Sequence, residues 1–294
     1  MSESKIGIVT VLFNSAPVLK EFFETLNIQT YKNFVLYAVN NSSPDNSLEL
    51  TKEYSKECFF ETIIIDSPEN VGVAEGNNLG IKKALEAGCT HILLSNNDIV
   101  LEKDTIEKLF SKHIELNADL SVPKIYYAGT NKLWLGGGYF NKIRFTGMHT
   151  GILEEDKGQY NEIKCITYAP TCFMIINSQI FDEVGFMDKK YFVYYDDTDF
   201  VYRCIFEKGK KLIYIPESTL QHKVSCSTGD ESDFSIKYLH RNWIYFARKF
   251  NKHFYLFYVE CMLFHLTIRN FKLRKNRHKW NLMYKSFKEG FKYR

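Results

Sequence analysis

An α/β fold built on a mostly parallel sheet is what this sequence predicts, and three observations predict it. The first hundred residues alternate short β-branched apolar runs with helix-like segments. Polar residues gather where those apolar runs end. The chain has 294 residues, 45% of them hydrophobic and 25% charged, the size and composition of a folded protein with a proper core.

The apolar runs place strands at Ile6–Leu12, Phe34–Val39, Thr62–Ile65 and His91–Leu94. Between them, one helix opens at Pro17, a residue suited to a first helical turn, and a second follows Pro44-Asp45. A third runs from about Glu75 to Ala87, with Gly88 as its stop. Right-handed crossovers then lay the four strands into one open sheet. Ligands of such sheets lie beyond the carboxyl ends of the strands. Those ends read Asn14, Asn40-Asn41-Ser42-Ser43, Asp66-Ser67 and Asn96-Asn97-Asp98. From Leu120 to about His222 the pattern turns irregular, with further strand-like stretches at Cys172–Ile176 and Lys211–Ile215. With no internal repeat and no low-complexity linker, residues 1–236 read as one domain of two halves, 1–119 and 120–236.

Residues 237–294 differ in kind. They hold 15 Lys and Arg against the two acids Glu260 and Glu289, a charge of +13; the whole chain is +3, so residues 1–236 carry −10. A basic tail suits an anionic partner. The run Phe254–Ile268 is 15 residues broken by Glu260 and His265, short of the ~20 a membrane span needs. Its aromatics and flanking bases match a monotopic segment on an anionic membrane surface. An aromatic helical pair packed on the rest of the protein, with a solvated basic face, is the plainer alternative. Exposed tail aromatics would equally suit a homodimer contact. No recognisable nucleic-acid module accompanies the basic residues, so nucleic acid is not expected as a partner.

Seven scattered cysteines with no C-x-x-C pair suggest neither a disulfide framework nor a zinc site. The start MSESKIGIVTVLF lacks the basic and small-residue features of a signal peptide. A cytoplasmic protein, peripheral on the inner membrane face, is the expectation.

Three places invite chemistry. Asp98 follows the strand HILL directly, where a carboxylate can hold a Mg²⁺ or Mn²⁺ ion bridging two phosphates; Asn-Asn-Asp is also ordinary turn chemistry. Asp196-Asp197-Thr198-Asp199 packs three carboxylates beside the aromatic run Tyr191–Tyr195. Crowded, desolvated carboxylates have raised pKa values, which makes a general base near neutral pH, although a solvated acidic helix start would look the same. His222 follows a strand-like stretch; it has either a structural role or a place beside Asp98 on a metal, where imidazole favours Mn²⁺ over Ca²⁺.

In this order and spacing, residues 5–250 resemble family 2 of the inverting glycosyltransferases, whose fold is GT-A: a Rossmann-like, mostly parallel sheet flanked by helices. IGIVTVLFN is similar to its first strand, Val39-Asn40-Asn41-Ser42-Ser43-Pro44-Asp45 to its V-D-N-x-S-x-D motif, and Asn70–Gly80 to its N-x-G-x-A-x-G-x-N stretch. Asn96-Asn97-Asp98 resembles its D-x-D metal motif in the form common among rhamnosyltransferase-like members. Ala169–Asp188 resembles its acceptor segment, and Asp196–Asp199 its E-D-x-D motif.

The resemblance implies Asp197 as base and Asp98 with His222 as ligands of Mn²⁺ or Mg²⁺. It implies Asn14, Asn40, Asn41 and Asp66 along the nucleotide, with Asn70, Gly76, Asn77, Asn97, Asp196 and Asp199 as further substrate-binding positions. The implied partners are a nucleotide sugar, either dTDP-rhamnose or a UDP-hexose, and a glycan or lipid-linked acceptor in surface polysaccharide synthesis. Asn40 departs from the family's Asp, and Asp196 from its Glu; an Asn oxygen still accepts a hydrogen bond, without charge.

A nucleotidyltransferase shares the sheet and the metal-bound carboxylate, but Leu12–Pro17 lacks its glycine-rich basic loop. A silent glycan-binding scaffold would have lost Asp98, Asp197 and Asp199, and all three are present.

Overall fold

The computed structural model describes residues 4–223, 232–272 and 277–293, and these form two compact units. The first comprises residues up to Phe140, Gly147–Phe192 and Asp196–Ser227; the second comprises Asn141–Thr146, Val193–Tyr195 and Thr228 onward.

In the first unit, β1 (Ile6–Leu12), α1 (Ala16–Asn27), β2 (Phe34–Asn40), α2 (Ser47–Tyr54), β3 (Glu61–Asp66), α3 (Gly72–Glu86) and β4 (His91–Ser95) follow each other in the alternation that the apolar runs predict. Next come β5 (Ile99–Leu101), α4 (Thr105–Glu115), β6 (Leu120–Tyr127), β7 (Leu133–Leu135), β8 (Gly138–Asn141) and β9 (Thr146–His149). The unit is completed by β10 (Lys164–Ile166), β11 (Phe173–Asn177), α5 (Gln179–Val184), α6 (Asp196–Tyr202) and β12 (Leu212–His222).

The main sheet runs β10-β12-β6-β11-β4-β1-β2-β3, with β5 paired to β12 and β7 to β6. β4, β1, β2 and β3 are mutually parallel, and β11 enters antiparallel between β4 and β6. β1, β2 and β4 bury both faces, so they read as continuous apolar runs rather than alternating ones, while β3 at the sheet edge is only half-buried. Leu12, Asn40 and Asp66 fall in register at one edge, bringing three of the polar strand ends side by side.

α3 lies close on that sheet because its glycines permit it. A Cβ at Gly80 would sit 2.4 Å from Val9 Cγ1, and one at Gly76 would sit 3.0 Å from both Val11 methyls. Val side chains are stiff about χ1, so neither neighbour can swing aside. α3 also starts at Gly72, three residues before the expected Glu75, because the Phe192 carbonyl accepts the Val73 N–H there.

β12 extends to His222, seven residues beyond the expected Ile215. A register shift between Ile215 and Thr219 lets it continue, first beside β6 and then also beside β5, where His222 faces Ile99. The Ser/Thr-rich stretch that follows, with Cys226, lies outside the described residues.

The second unit contains α7 (Asp233–Phe250), α8 (Phe254–Lys272) and α9 (Arg277–Lys292). Its aromatics interlock: Trp243 meets Phe257, Tyr258 meets Phe291, and His265 meets Trp280. Gly290 lets α9 approach α7, since a Cβ there would lie 2.2 Å from the Arg241 carbonyl oxygen. The Asn242 amide of α7 donates to the carbonyls of Val193 (2.7 Å) and Tyr194 (2.9 Å). Among the described residues no helix is long and apolar enough to cross a membrane.

Two buried histidines couple the first unit's stability to pH. His91 begins β4 beside His113 of α4, with ring centroids 5.3 Å apart, and His113 Nδ1 meets Ser121 Oγ at 2.9 Å. Burial pushes His91 down to about 4 and His113 to about 3. An unfolded chain protonates both near their ordinary 6.5, so below that pH the unfolded state holds more protons. Stability therefore falls as pH drops from about 6.5 to about 4, by about 1.4 kcal/mol per pH unit for each proton. His113→Asn should flatten that slope, as measured by urea unfolding across the range.

Candidate active site

The carboxyl ends of β1, β2 and β3 build one polar edge. Asn14 is exposed at φ +53°, and its N–H donates to Ser43 Oγ (2.8 Å). Asn40 is buried; its side-chain amide donates to Asp66 Oδ1 (2.7 Å), and its Oδ1 accepts from the Ser43 N–H (3.2 Å). Asp66 itself is exposed. Asp45 receives the hydroxyls of Ser43 and Ser47 and the N–H of Ala16, which hold its carboxyl below the usual range despite burial.

Asn41 and Asn70 shape the loop into α3. Asn41 donates to Asn70 Oδ1 (2.9 Å) and accepts from the Val71 N–H (2.9 Å), while Asn70 also accepts the Gly72 N–H (3.0 Å). Gly72 has φ +82°, and a Cβ there would lie 2.4 Å from the Phe192 carbonyl oxygen, so only glycine fits.

Asp98 and His222 meet through the β5–β12 pairing, with His222 Nε2 3.0 Å from Asp98 Oδ1. Burial would raise the Asp98 carboxyl, but the His222 and Asn96 contacts outweigh it and hold the pKa low. Asn97 turns back to donate to the Val11 carbonyl (2.8 Å), bracing the end of β4 on β1.

Asp196 and Asp197 begin α6, after a segment in which Phe192, Tyr194 and Tyr195 all have positive φ (66°, 63° and 67°). Non-glycine residues rarely adopt that conformation, and runs of it occur where a site dictates the backbone. Asp197 Oδ1 accepts from the Thr198 N–H (2.6 Å), and Asp197 Oδ2 from the Tyr168 hydroxyl (3.4 Å). Burial raises both carboxyls, and the Asp197 charge raises Asp196 further. The buried Cys172 thiol, pushed up mainly by burial, also feels the charges of both Asp98 and Asp197. The two carboxylates thus face one neighbourhood at the start of β11, where Asn96 N–H also bonds the Cys172 carbonyl (2.7 Å).

Several positions expected to meet substrate have protein partners. Asp199 is fully buried, accepting from Arg203 Nε (2.7 Å) and the Tyr191 hydroxyl (3.0 Å). Arg203 in turn donates to the carbonyls of Val184 and Phe186, so Asp199 anchors the acceptor segment. Gly76 provides the close approach of α3 to Val11, and Asn77 lies against Met187 Sδ at 3.7 Å. Residues that no motif announced also join the site. Trp134 stands edge-on between His149 (4.6 Å) and His222 (4.5 Å), and Tyr168 touches Asp197. Burial depresses His149, whose Nδ1 meets the Trp134 carbonyl oxygen at 3.0 Å.

The profile of "Glycosyl transferase family 2" matches residues 7–185, more than half of the chain. The chain belongs to that family. The match includes the nucleotide edge and Asp98 and stops before Asp197 and His222, whose grouping with Asp98 rests on the geometry.

Among curated relatives, the low-salt glycan biosynthesis hexosyltransferase Agl10 of Haloferax volcanii is 26% identical over 67% of this chain and 61% of its own length. Glycosyltransferase GlyG of Streptococcus pneumoniae is 21% identical over 92% of this chain and 84% of its own. The dTDP-rhamnosyl transferase RfbF of Shigella flexneri is 26% identical over 55% and 51%. The chain thus spans under two thirds of the length of Agl10, and 31% of glycosyltransferase GlyA of S. pneumoniae. Among solved structures, GalNAc-T7 with UDP, GalNAc and Mn²⁺ superposes with TM-score 0.65 at 15% identity, covering 86% of this chain and 49% of that one. S. aureus TarS 1-349 with UDP-GlcNAc gives 0.62 at 12%, covering 97% and 80%. These likenesses establish the GT-A fold, a curled central sheet flanked by helices.

Removing the Asp199 carboxylate leaves the Arg203 guanidinium largely buried and unpaired, since only 13% of the Arg203 side chain is exposed. Asp199→Ala should cost about 3–5 kcal/mol in urea unfolding. A loss near zero would show that the pair does not anchor the segment.

Proposed function

We propose that this protein is an inverting, metal-dependent glycosyltransferase that moves a hexosyl or rhamnosyl group from a nucleoside diphosphate to a hydroxyl of a glycan or lipid-linked saccharide, as in surface polysaccharide synthesis. The observation that carries the reading is the pairing of environments around Cys172. Asp98 is held ionised beside His222, while the half-buried Asp197 has a raised pKa, poised to take a proton.

The residues present fit a divalent ion. Asp98 Oδ1 and His222 Nε2 lie 3.0 Å apart, the spacing of adjacent ligands on a small ion with bonds of about 2.1 Å. One carboxylate and one imidazole suit Mn²⁺ or Mg²⁺, with imidazole favouring Mn²⁺. Among the described residues no group of three or more His, Cys, Asp or Glu gathers around one point. Such an ion supplies charge neutralisation for the departing diphosphate.

Asp197 accepts the proton of the acceptor hydroxyl, whose oxygen attacks the anomeric carbon from the face opposite the nucleoside diphosphate. One displacement gives inversion. Thr198 and Tyr168 orient the carboxylate for that transfer. At the nucleotide edge, Asn40 is engaged by Ser43 and Asp66, so the exposed Asp66 carboxylate takes the hydrogen bond from the base. The likeness to RfbF supports a dTDP-rhamnose donor, and the UDP complexes of the structural neighbours support a UDP-hexose.

The test is release of nucleoside diphosphate from a panel of nucleotide sugars with and without Mn²⁺ or Mg²⁺. Turnover should require metal and vanish in Asp98→Ala. Asp197→Asn should lower kcat by about 10²- to 10⁴-fold while donor binding persists. If no donor is bound or turned over, the chain is a silent member of the family.

Tyr168 supplies a second, independent reading. Its hydroxyl favours the charged form of Asp197, so Tyr168→Phe should raise the Asp197 pKa and move the acid limb of the pH–rate profile upward. An unmoved limb would exclude Asp197 as the titrating base.

A further inference from the structure

α8 carries apolar residues on two opposite sides. Phe254, Phe257 and His265 face inward in the three-helix unit, where they meet Phe291, Trp243 and Trp280. A helix packed on one side normally presents polar residues on the other. Here Tyr255, Leu256, Val259, Leu263 and Leu266 fall within about 100° of one another on the outer side, at 3.6 residues per turn. They are exposed by 75%, 62%, 50%, 59% and 37%. Single exposed apolar residues are ordinary, whereas a stripe along a whole helix marks a docking surface.

Charge identifies what docks there. α9 packs beside α8 through Trp280 and Phe291, and its Ser286 and Gly290 are buried, Gly290 against α7. On its exposed side Arg277, Lys285, Lys288 and Lys292 lie within about 80° of one another. Lys252 is exposed just before α8. The acids beyond Lys237 are Glu260, beside the stripe, and Glu289 on α9. Two copies joined through this face would set two strongly basic surfaces together, whereas an anionic bilayer offers both apolar depth and opposite charge.

We propose that α8 and α9 dock the protein on an anionic phospholipid surface, with the Leu256–Leu263 stripe at the headgroup–acyl boundary and the α9 bases among the lipid phosphates. Since no helix among the described residues can span a bilayer, α8 lies in the plane of the interface. This inference does not rest on the transfer chemistry.

The full chain should co-sediment with phosphatidylcholine vesicles that contain phosphatidylglycerol, far less with phosphatidylcholine alone, and less as salt is raised. Leu256→Glu with Leu263→Glu should cut partitioning at least about tenfold, and each of Lys285→Ala and Lys288→Ala about fivefold. Nucleotide-sugar turnover in solution should be unchanged in all of them. The lipid-charge and salt series uses the wild-type chain, so it stands even if a variant misfolds. Failure of the wild-type chain to bind anionic vesicles would overturn the proposal, as would a folded double variant that sediments like wild type. Wild-type dimers in light scattering, made monomeric by the double variant without any vesicle binding, would assign the face to self-association instead.

Discussion

Everything at the candidate site depends on two carboxylates, Asp98 and Asp197, whose surroundings push their pKa values in opposite directions. Asp98 and Asp197 both act on the Cys172 thiol, yet their surroundings push them apart. Asp98 has the His222 ring and Asn96 as partners and stays ionised in spite of burial. Asp197 has a backbone N–H and two hydroxyls, and burial prevails. Two carboxylates separated in this way divide their labour: one is fit to hold a cation and the other to move a proton. The β5–β12 pairing and the extension of β12 past its register shift bring Asp98 and His222 together.

The parallel half of the fold was legible because a strand buried on both faces writes itself as an unbroken apolar run, as in Ile6–Leu12 and His91–Ser95. The edge residues were legible for a related reason: a polar cluster directly after such a run has only the carboxyl edge to occupy. The acidic cluster was less transparent. Asp196, Asp197 and Asp199 look alike in sequence, but α6 turns Asp199 into the core toward Arg203, and no local pattern records where a partner 4 residues away will point. Gly76 shows the same ambiguity, since a glycine required for helix–sheet contact reads like one required for a ligand. Trp134, His149 and Tyr168 carried no signal because irregular chain and short strands bring them in from distant parts of the sequence.

The Asn at position 40 follows from electrostatics at the nucleotide edge. Its amide nitrogen lies 2.7 Å from Asp66 Oδ1. An aspartate there would face Asp66 as a like charge at hydrogen-bond distance, and one of the two would have to stay protonated. With Asn40 the Asp66 carboxylate stays exposed and is oriented by a neutral donor, without a like charge on the neighbouring strand.

Charge distribution bears on the metal. Residues 1–236 carry −10, and the bases are concentrated beyond residue 236. None of the residues named at the sheet edge is Lys or Arg, while Asp66, Asp98 and Asp197 all lie there. In the proposed reaction a nucleoside diphosphate would bring at least two more negative charges into this setting, and its departure would develop further charge on the leaving oxygens. Basic side chains would be one way to offset that repulsion; a divalent cation held by Asp98 and His222 would be another. Lys223, whose N–H donates to the Asp98 carbonyl oxygen, pairs its ammonium with Glu21, and the divalent ion proposed for Asp98 and His222 would add further positive charge beside them.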